Sequence, residues 1–436
     1  MTDAAREPVL RRTSQWAATV TAGRSLAALA AAAWVAVLAR VLEIDAFGDL
    51  ALLVGLSTVF AGVTDGGVSV EVARQLGAAP EAARSVFRSA VQVRLRLGSA
   101  GLVMFVVAYA AVGSTQSPWA VGLMVVSTAA TMVHQLAVTT CRAAGRRRVE
   151  PFADAVPRVA LLTVGVAVAT SAGLGLTGAA ALYAATDVLL AVVVSTYVVR
   201  RLPGDAPVPE PGGFRMRALS RNGIGFAFWM LQQRGVVWFV ALWSGPTSVA
   251  YFAAAQRLSD AAVLPSSALG SVAVPQFMRS GVTARRQVAR TLVGLALAVS
   301  VPAVIVAAVA SEQVTVLAFG SGLRGAAPTV RLLLLGTPLV GCSAVLLQLA
   351  AALRPDVQLR ATLSSVIVLV ASSVLMIPRW GASGAAGAFL ISQAVQTAIL
   401  ASVLRHRVLH GAVRAPVRAS APTGATGDQP RVAAAS

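Results

Sequence analysis

The sequence predicts an all-α polytopic membrane protein with about twelve transmembrane helices, arranged as two six-helix lobes related by a pseudo-two-fold axis along the membrane normal. Hydrophobic residues make up 57% of the 436 positions and charged residues only 12%, well outside the composition of soluble domains. Apolar segments of about 20 residues, the length that crosses a bilayer, recur along the chain. The predicted spans are 16–39, 49–70, 97–113, 118–141, 153–171, 175–199, 220–243, 247–277, 288–310, 329–352, 358–377 and 384–404.

The basic residues predict which side of the membrane is cytoplasmic. Most of the 36 basic residues lie in the two tails or in alternate connections, and such connections are retained in the cytoplasm. The intervening connections 113–117, 171–174 and 244–247 are nearly free of charge and are predicted to face outward. Both termini are therefore predicted to be cytoplasmic. The basic connections lie near 71–96, 142–148, 200–221, 279–290 and 354–360.

Composition also bears on the partners and the source. The net charge of +19 is spread over many loops beside the membrane, so it indicates contact with anionic lipid headgroups and not with nucleic acid. The basic residues are all arginine, and alanine, glycine and valine are abundant. Both features are typical of a GC-rich bacterial source, which predicts the bacterial cytoplasmic (inner) membrane as the location.

Missing residue types exclude several chemistries. The chain has no lysine, so it lacks both the Walker A lysine that reaches nucleotide phosphates and an amine for Schiff-base chemistry. Cys141 and Cys342 do not have the spacing of a zinc site or a disulfide framework. We therefore expect a transporter without a cofactor, and not an enzyme. Its energy would come from an ion gradient, the membrane potential, the substrate gradient or a separate ATPase.

Two pairs of similar segments indicate an internal duplication. GLTGAA at 175–180 precedes the sixth span and GASGAA at 381–386 precedes the twelfth, while AFGDLA at 46–51 resembles SVAYFA at 248–253. Small residues also serve helix packing, but two motifs at nearly the same offset favour duplication. Each half holds an even number of spans, so the halves share one orientation and would enclose a cavity near the midplane.

The duplication and the composition divide the chain into five parts. The segment rich in proline and glycine after the sixth span cannot hold a regular helix and is predicted to link the lobes. The last segment is too polar and too simple in composition to form a core. The predicted parts are a cytoplasmic tail at 1–15, an N-lobe at 16–199, a linker at 200–219, a C-lobe at 220–404 and a largely disordered tail at 405–436.

Charged residues inside the predicted N-lobe spans are candidates for function. Each charge within a span costs about 2.5 kcal/mol or more, so it needs a partner, water or a nearby interface. Arg24 and Asp65 have similar predicted depths and can pair, although Arg24 can also extend to the interface. The sequence Asp65-Gly66-Gly67 permits a local break in its helix. Asp187 lies near mid-depth and is predicted to couple protons or to pair with an arginine.

The predicted C-lobe carries deeper charges. Arg234, Arg257 and Asp260 all project near the bilayer centre, and Arg257 and Asp260 share one helix face. A purely structural ion-pair network is the alternative to a binding site. Gln233, beside Gln232 and between Trp229 and Trp238, offers amide and aromatic groups to a sugar, although aromatic residues also pack helices.

Two polar features near the cytoplasmic side have less specific interpretations. Asp154 and Arg158 flank Pro157, and their four-residue spacing predicts a surface ion pair. His134 beside Gln135 is interpreted as a packing histidine, with a proton relay as the alternative.

Short motifs in a fixed order run through almost the whole membrane region. They are LARVL at 38–42 with FG at 47–48, DGGV at 65–68, VARQL at 72–76, VAYFAAAQRL at 249–258, VPQF at 274–277, FG at 319–320 and IPRWGASGAAG at 377–387. In order and spacing, the chain resembles the polysaccharide-biosynthesis flippases, the lipid-linked oligosaccharide branch of the multidrug/oligosaccharidyl-lipid/polysaccharide exporter superfamily.

The resemblance implies two six-helix bundles around a central cavity lined by basic residues. Alternating access in this cavity would carry a polyprenyl-diphosphate-linked oligosaccharide from the inner to the outer leaflet, alongside a glycan polymerase and glycosyltransferases of the same pathway. Arg257 lies in the matched motif at 249–258. The predicted substrate-binding residues are Arg24, Arg234, Arg257 and Gln233, and the predicted ion-coupling or charge-partner residues are Asp65, Asp187 and Asp260.

Two alternatives stay open at this point. Three intramembrane carboxylates are also consistent with a multidrug extruder of the same fold, because cationic drugs prefer carboxylates. A membrane glycan polymerase or ligase is the second alternative, but such enzymes generally need large outward loops. The longest predicted outward loop here is 311–328.

Overall fold

A computed structural model describes residues 23–409 except 24, 113–116, 147–148, 204–215, 280–281 and 354. The described residues form helices joined by turns, with no strand among them. The helices are α1 (Ser25–Val41), α2 (Ile44–Val63), α3 (Val68–Ala78), α4 (Ala83–Ala110), α5 (Pro118–Ala143), α6 (Val149–Ala172), α7 (Leu176–Arg201), α8 (Met216–Arg234), α9 (Val236–Arg279), α10 (Val282–Val309), α11 (Ser311–Phe319), α12 (Ala327–Leu335), α13 (Thr337–Leu353) and α14 (Pro355–Leu409).

The helices account for twelve membrane crossings. In the described part of the chain, seven helices are long and apolar enough to cross a membrane, and α12 with α13 forms a further crossing bent by 47°. Two of the seven, the stretch Gly223–Ser267 made of α8 and α9 and the stretch Asp356–Arg405 of α14, each reverse at one glycine and therefore cross twice. The shorter apolar helices α1 and α6 supply the last two crossings. The protein is thus a multi-pass, all-helical membrane protein with two six-helix lobes, as predicted.

Single glycines form the two sharpest reversals. Gly245 has φ 74° and Gly381 has φ 53°. Residues with a Cβ atom rarely adopt such positive φ values. Gly245 divides α9 into two arms. The second arm folds back along α8, since Gln256 Nε2 donates to the backbone oxygen of Gln233 at 2.7 Å. These reversals explain why continuous helical stretches of 44 and 55 residues are compatible with a bilayer.

The predicted second span is broken where the sequence permits it. Helix α2 ends at Val63, and α3 begins after Gly67, which has φ 87°. The prediction of a local break at residues 65–67 is confirmed. The third span begins earlier than predicted, at Ala83 instead of residue 97. Its first turns are charged on one face but bury Val86 and Phe87 on the other, so average hydropathy misses them.

Each lobe is built around buried apolar side chains. In the N-lobe, α1 to α7 pack around residues such as Trp34 and Phe105, and α5 lies along α7. In the C-lobe, the second arm of α9 packs against α10, α13 and α14. Gly381, before the last crossing of the C-lobe, has φ 53°, whereas Gly175, its counterpart in the repeated motif, has φ −93°. The backbone at this position therefore differs between the two halves, and the duplication stays a prediction from the repeated motifs.

Helix α2 forms a close contact between the lobes. Its glycines 48, 55 and 62 recur every seven residues and face α8 and the first arm of α9, together with the turn after that arm. A Cβ added at Gly48 would lie 2.1 Å from the Pro246 backbone oxygen, and one at Gly62 would lie 2.5 Å from Met230 Cγ. Because these three positions of α2 carry no side chain, the two lobes can approach at backbone distance. We call this contact the glycine seam.

Polar contacts also join the lobes on the side predicted to face outward. Thr247 Oγ1 donates to Asp45 Oδ1 at 2.6 Å, and Trp238 Nε1 donates to the Ala108 backbone oxygen at 2.8 Å. Arg40 donates to the backbone oxygen of Leu317. These three contacts each connect an N-lobe residue with a C-lobe residue, so the lobes are held together at these ends.

Several predictions fall outside the described residues. Arg24 is one of them, and so are the tail at 1–15, residues 204–215 of the predicted linker and the tail from residue 410 onward. The predicted boundaries of the five parts and the cytoplasmic position of the termini remain predictions.

Candidate substrate cavity

A cavity of about 480 Å³ lies between the two lobes. Helices α1, α2, α5, α6 and α7 line it from the N-lobe, and α8 and α9 line it from the C-lobe. Among the described residues, the charged side chains of its lining are those of three arginines and one carboxylate, namely Arg158, Arg234, Arg257 and Asp187. We call it the central cavity. The repeated halves predict a cavity between the lobes, and this cavity lies there.

Arg234 reaches the central cavity from the end of α8. Its Nη1 lies 2.8 Å from Asp260 Oδ2, and the two side chains are 26% and 39% exposed. Because α9 reverses at Gly245, the two partners lie on neighbouring arms of one hairpin. Asp260 itself does not line the central cavity but the cavity beside it. The carboxylate of Asp260 thus neutralises part of the Arg234 charge from the adjoining cavity.

Among the described residues, Arg257 supplies positive charge without a hydrogen-bond or ion-pair partner. It lines the central cavity from the second arm of α9, in the motif that carries the family resemblance. Within the described part of the chain it makes neither a hydrogen bond nor an ion pair. Tyr183 and Trp34, whose rings lie 6.5 Å apart, line the same cavity from the N-lobe. An anion entering the cavity would therefore meet a guanidinium group whose donors are free.

Asp187 is the carboxylate of the central cavity. Ser127 Oγ donates to its Oδ2 at 2.5 Å, and the residue is half-buried on α7. The predicted alternatives for Asp187 are proton coupling and pairing with an arginine. It forms no ion pair with the described arginines. A carboxylate held by a hydroxyl beside three arginines can change the charge of the lining by binding a proton.

Asp65 lies away from the central cavity. Its Oδ1 is 2.7 Å from Arg94 Nη1, and these side chains are only 8% and 3% exposed. Ser69 Oγ also donates to Oδ1, at 2.6 Å. The partner of this carboxylate among the described residues is Arg94. The predicted partner, Arg24, lies outside the described residues. Asp65 lines a separate cavity of about 330 Å³ in the N-lobe, near α8.

The structure corrects the predicted position of Arg94 and adds Arg158 to the site. Arg94 is predicted to lie in a basic cytoplasmic connection, but α4 begins at Ala83 and buries it, where it also donates to Gln135 Oε1 at 3.0 Å. Arg158 has an exposed side chain that lines the central cavity. Its predicted surface pair with Asp154 remains a prediction, because the Asp154 side chain lies outside the described part of the chain. The available signal for Arg158 was its position one residue after Pro157 inside an apolar helix.

Gln233 lies beside the central cavity and does not line it. It contributes to a cavity of about 390 Å³ inside the C-lobe. Arg234 and Gln256 line both this cavity and the central one, so the two adjoin. His134 similarly lines both the central cavity and the N-lobe cavity near Asp65.

Solved structures share this architecture. An inward-facing multidrug resistance MATE family transporter of the MOP superfamily is 17% identical, with a TM-score of 0.61 over 88% of this chain and 94% of that one. The MATE multidrug transporter DinF-BH in complex with R6G is 16% identical, with a TM-score of 0.70 over 90% and 95%. The lipid II flippase MurJ, in an inward closed conformation, is 10% identical, with a TM-score of 0.71 over 88% and 87%.

No family model matches the sequence, and no curated protein matches it either. The likeness is therefore structural, and the solved structures that carry it are of transporters and not of enzymes. The chain has the fold of the MATE and MurJ transporters of the MOP superfamily.

Proposed function

We propose that this protein is a flippase that moves a polyprenyl-diphosphate-linked oligosaccharide from the inner to the outer leaflet of the bacterial cytoplasmic membrane. The observation that carries the proposal is the lining of the central cavity, in which Arg158, Arg234 and Arg257 face one carboxylate, Asp187. The transported headgroup would thus be an anion. The protein would act within a surface-polysaccharide pathway, beside its glycosyltransferases and polymerase, with both termini in the cytoplasm.

Arginine suits a diphosphate in this position. A guanidinium group stays charged when it is removed from water, and it donates in a planar fork that matches phosphate oxygens. Arg257 has no partner among the described residues, so the diphosphate would complete its hydrogen bonds. Arg234 keeps Asp260 at 2.8 Å and would contribute a shared charge. The polyprenyl tail can stay in the lipid while the headgroup occupies the cavity.

Asp187 is the best candidate for ion coupling. Asp65 and Asp260 are each held in an ion pair, with Arg94 and Arg234 respectively, whereas Asp187 accepts from a neutral hydroxyl. A diphosphate beside Asp187 favours the protonated carboxyl, and a bound proton favours the diphosphate in return. Entry of the substrate and uptake of a proton would therefore support each other.

Alternating access fits the contacts between the lobes. The contacts of Asp45, Trp238 and Arg40 hold the lobes together on the side predicted to face outward. The lobes also meet at backbone distance toward the opposite end, where a Cβ on Gly223 would lie 2.3 Å from the Gly66 carbonyl carbon. Opening of the inner contacts would admit the headgroup from the cytoplasmic leaflet, and opening of the outer contacts would release it outward, with no covalent step.

A multidrug extruder is the second candidate. The observation that favours it is the carboxylate of Asp187 in the central cavity, because a cationic drug needs a negative partner. One solved structure of similar fold is a multidrug transporter in complex with R6G. The excess of arginine over carboxylate in the lining makes this the weaker candidate.

The test is deletion of the gene followed by complementation. We expect the deletion strain to accumulate a lipid-linked oligosaccharide on the inner leaflet and to lose surface polysaccharide. Wild-type protein and Arg88→Ala, which alters an exposed arginine on α4, should restore both. Arg257→Ala should not, because loss of hydrogen bonds to a charged group costs about 1.5–3 kcal/mol, or roughly a 10- to 150-fold loss in affinity.

Two results would count against the flippase. The proposal would be refuted if the deletion strain made normal surface polysaccharide and accumulated no lipid-linked oligosaccharide. Full complementation by Arg257→Ala would also refute it. Sensitivity of the deletion strain to cationic dyes, with polysaccharide unchanged, would establish the multidrug extruder in its place.

A further inference from the structure

The cavity inside the C-lobe is lined by amides. Its volume is about 390 Å³, and helices α8, α9, α13 and α14 supply five glutamines to its walls. Serine hydroxyls from α9 and α13 add to these groups. We call it the glutamine cavity. The glutamines are Gln233, Gln256, Gln348, Gln393 and Gln396, and the serines are Ser259, Ser267 and Ser343.

One amide of this lining lacks a protein partner. Gln393 is only 1% exposed, yet its Nε2 has no hydrogen-bond partner among the described residues. A buried donor left unsatisfied costs about 1–3 kcal/mol. Such groups are rare in folded proteins and are commonly completed by water, an ion or a ligand. Gln393 therefore points to an acceptor inside the glutamine cavity.

The neighbouring amides are oriented by the protein and keep acceptors free. Gln256 donates to the Gln233 backbone oxygen at 2.7 Å, and Gln348 donates to the Ser267 backbone oxygen at 3.3 Å. Neither Oε1 accepts a hydrogen bond from the described residues. Gln396 accepts from Ser343 Oγ at 3.0 Å, which fixes its side chain. The cavity thus offers both a donor and acceptors in defined positions.

The remaining lining suits a neutral, polyhydroxylated ligand. Arg234 and Asp260 are the charged residues of the wall, and they pair with each other at 2.8 Å, so an ionic ligand finds no uncompensated charge. Trp229 lines the cavity as well, and its ring lies 5.5 Å from that of Phe226. An aromatic face accepts the apolar side of a sugar ring, while amides bind its hydroxyl groups.

From this combination we propose that the glutamine cavity binds a neutral sugar of the glycan headgroup while the diphosphate lies in the central cavity. The inference rests on the proposed flippase function and adds a second subsite to it. Arg234 and Gln256 line both cavities, so a single headgroup can extend from one to the other. The central cavity would then recognise the diphosphate that all such carriers share, and the glutamine cavity would recognise the sugar.

The test compares two ligands on the purified full-length protein in lipid nanodiscs. One is the lipid-linked oligosaccharide extracted from the deletion strain, and the other is undecaprenyl diphosphate without a sugar. Gln393→Leu should weaken binding of the oligosaccharide about 5- to 10-fold, the equivalent of one hydrogen bond, and leave undecaprenyl diphosphate unchanged. Trp229→Leu should show the same selectivity, which provides a second variant if Gln393→Leu does not fold.

Gln232→Leu is the matched control. Gln232 is fully buried on the same helix as Gln233 but does not line the glutamine cavity. The Gln232→Leu protein should therefore bind both ligands like the wild type. Arg257→Ala should weaken both ligands, which reports on the proposed function alone. If Arg257→Ala weakens both ligands while Gln393→Leu and Trp229→Leu bind the oligosaccharide normally, the sugar subsite is refuted and the flippase stands. If wild-type protein binds neither ligand, both proposals fall.

Discussion

A methyl group added at Gly48 should open the protein on the side predicted to face outward. Gly48 is the first glycine of the seam, and a Cβ there would lie 2.1 Å from the Pro246 backbone oxygen. Backbone cannot rotate away as a side chain can, so the two helix ends must separate by roughly 1.3 Å or more to reach an ordinary contact distance of 3.4 Å. Thr247, next to Pro246, donates to Asp45 at 2.6 Å, and that hydrogen bond would be stretched as well.

The size of the effect follows from overpacking. Forced insertion of a methyl group into a tight contact typically costs about 1–3 kcal/mol. If the cost falls on the closed state alone, the closed-to-open ratio drops about 5- to 150-fold. Gly55→Ala is the control, because its Cβ would meet Val237 at 3.5 Å, an ordinary contact.

Cross-linking measures the closed population. Asp45→Cys with Thr247→Cys places two thiols across the lobes, and both native cysteines, Cys141 and Cys342, are buried. Disulfide formation in this background should slow when Gly48→Ala is added and stay unchanged with Gly55→Ala. Equal rates for the two variants would show that the glycine seam does not control closure, and the reasoning would fail.

Three further predictions test individual residues. Arg94→Leu should destabilise the N-lobe by about 3–5 kcal/mol, because it leaves the buried carboxylate of Asp65 without its partner; a thermal midpoint equal to that of the wild type would contradict this. Gln232→Leu should stabilise the protein by about 1–3 kcal/mol, because both amide atoms of Gln232 are buried and unpartnered among the described residues, and a lowered midpoint would disprove it. Asp187→Asn should bind undecaprenyl diphosphate but transport without response to a proton gradient; transport that still follows the gradient would assign the coupling elsewhere.

Much of the fold could be predicted from the sequence because a bilayer imposes strong rules on backbone and charge. Apolar segments of spanning length indicated the crossings, and repeated small-residue motifs indicated the two lobes. The break after α2 was predictable because Asp65-Gly66-Gly67 combines a charge with two residues that tolerate unusual backbone angles. The start of α4 was not, because its first turns bury only one face and average hydropathy ignores direction.

The candidate site was predicted less completely. Arg234, Arg257 and Asp187 were found because a charge at mid-depth is expensive wherever its helix faces. Arg158 was not predicted as a cavity residue, because its four-residue spacing from Asp154 equally suits a surface ion pair at the end of a span. Arg94 was not predicted to face Asp65, because the start of its helix lies in a segment whose average hydropathy is low.

The tight turn at Gly245 has a consequence for how membrane voltage acts on the protein. Arg234 ends α8, directly before the first arm of α9, and Asp260 lies on the second arm, so the turn keeps the pair together and it carries no net charge through the electric field. Displacement of one elementary charge across the field changes the free energy by about 2.3 kcal/mol per 100 mV. Among the described residues of the central cavity, the voltage would therefore act on Arg158, Arg257 and Asp187, together with the bound headgroup. A diphosphate that neutralises the two arginines, with a proton on Asp187, would let the loaded cavity change sides with little electrical work.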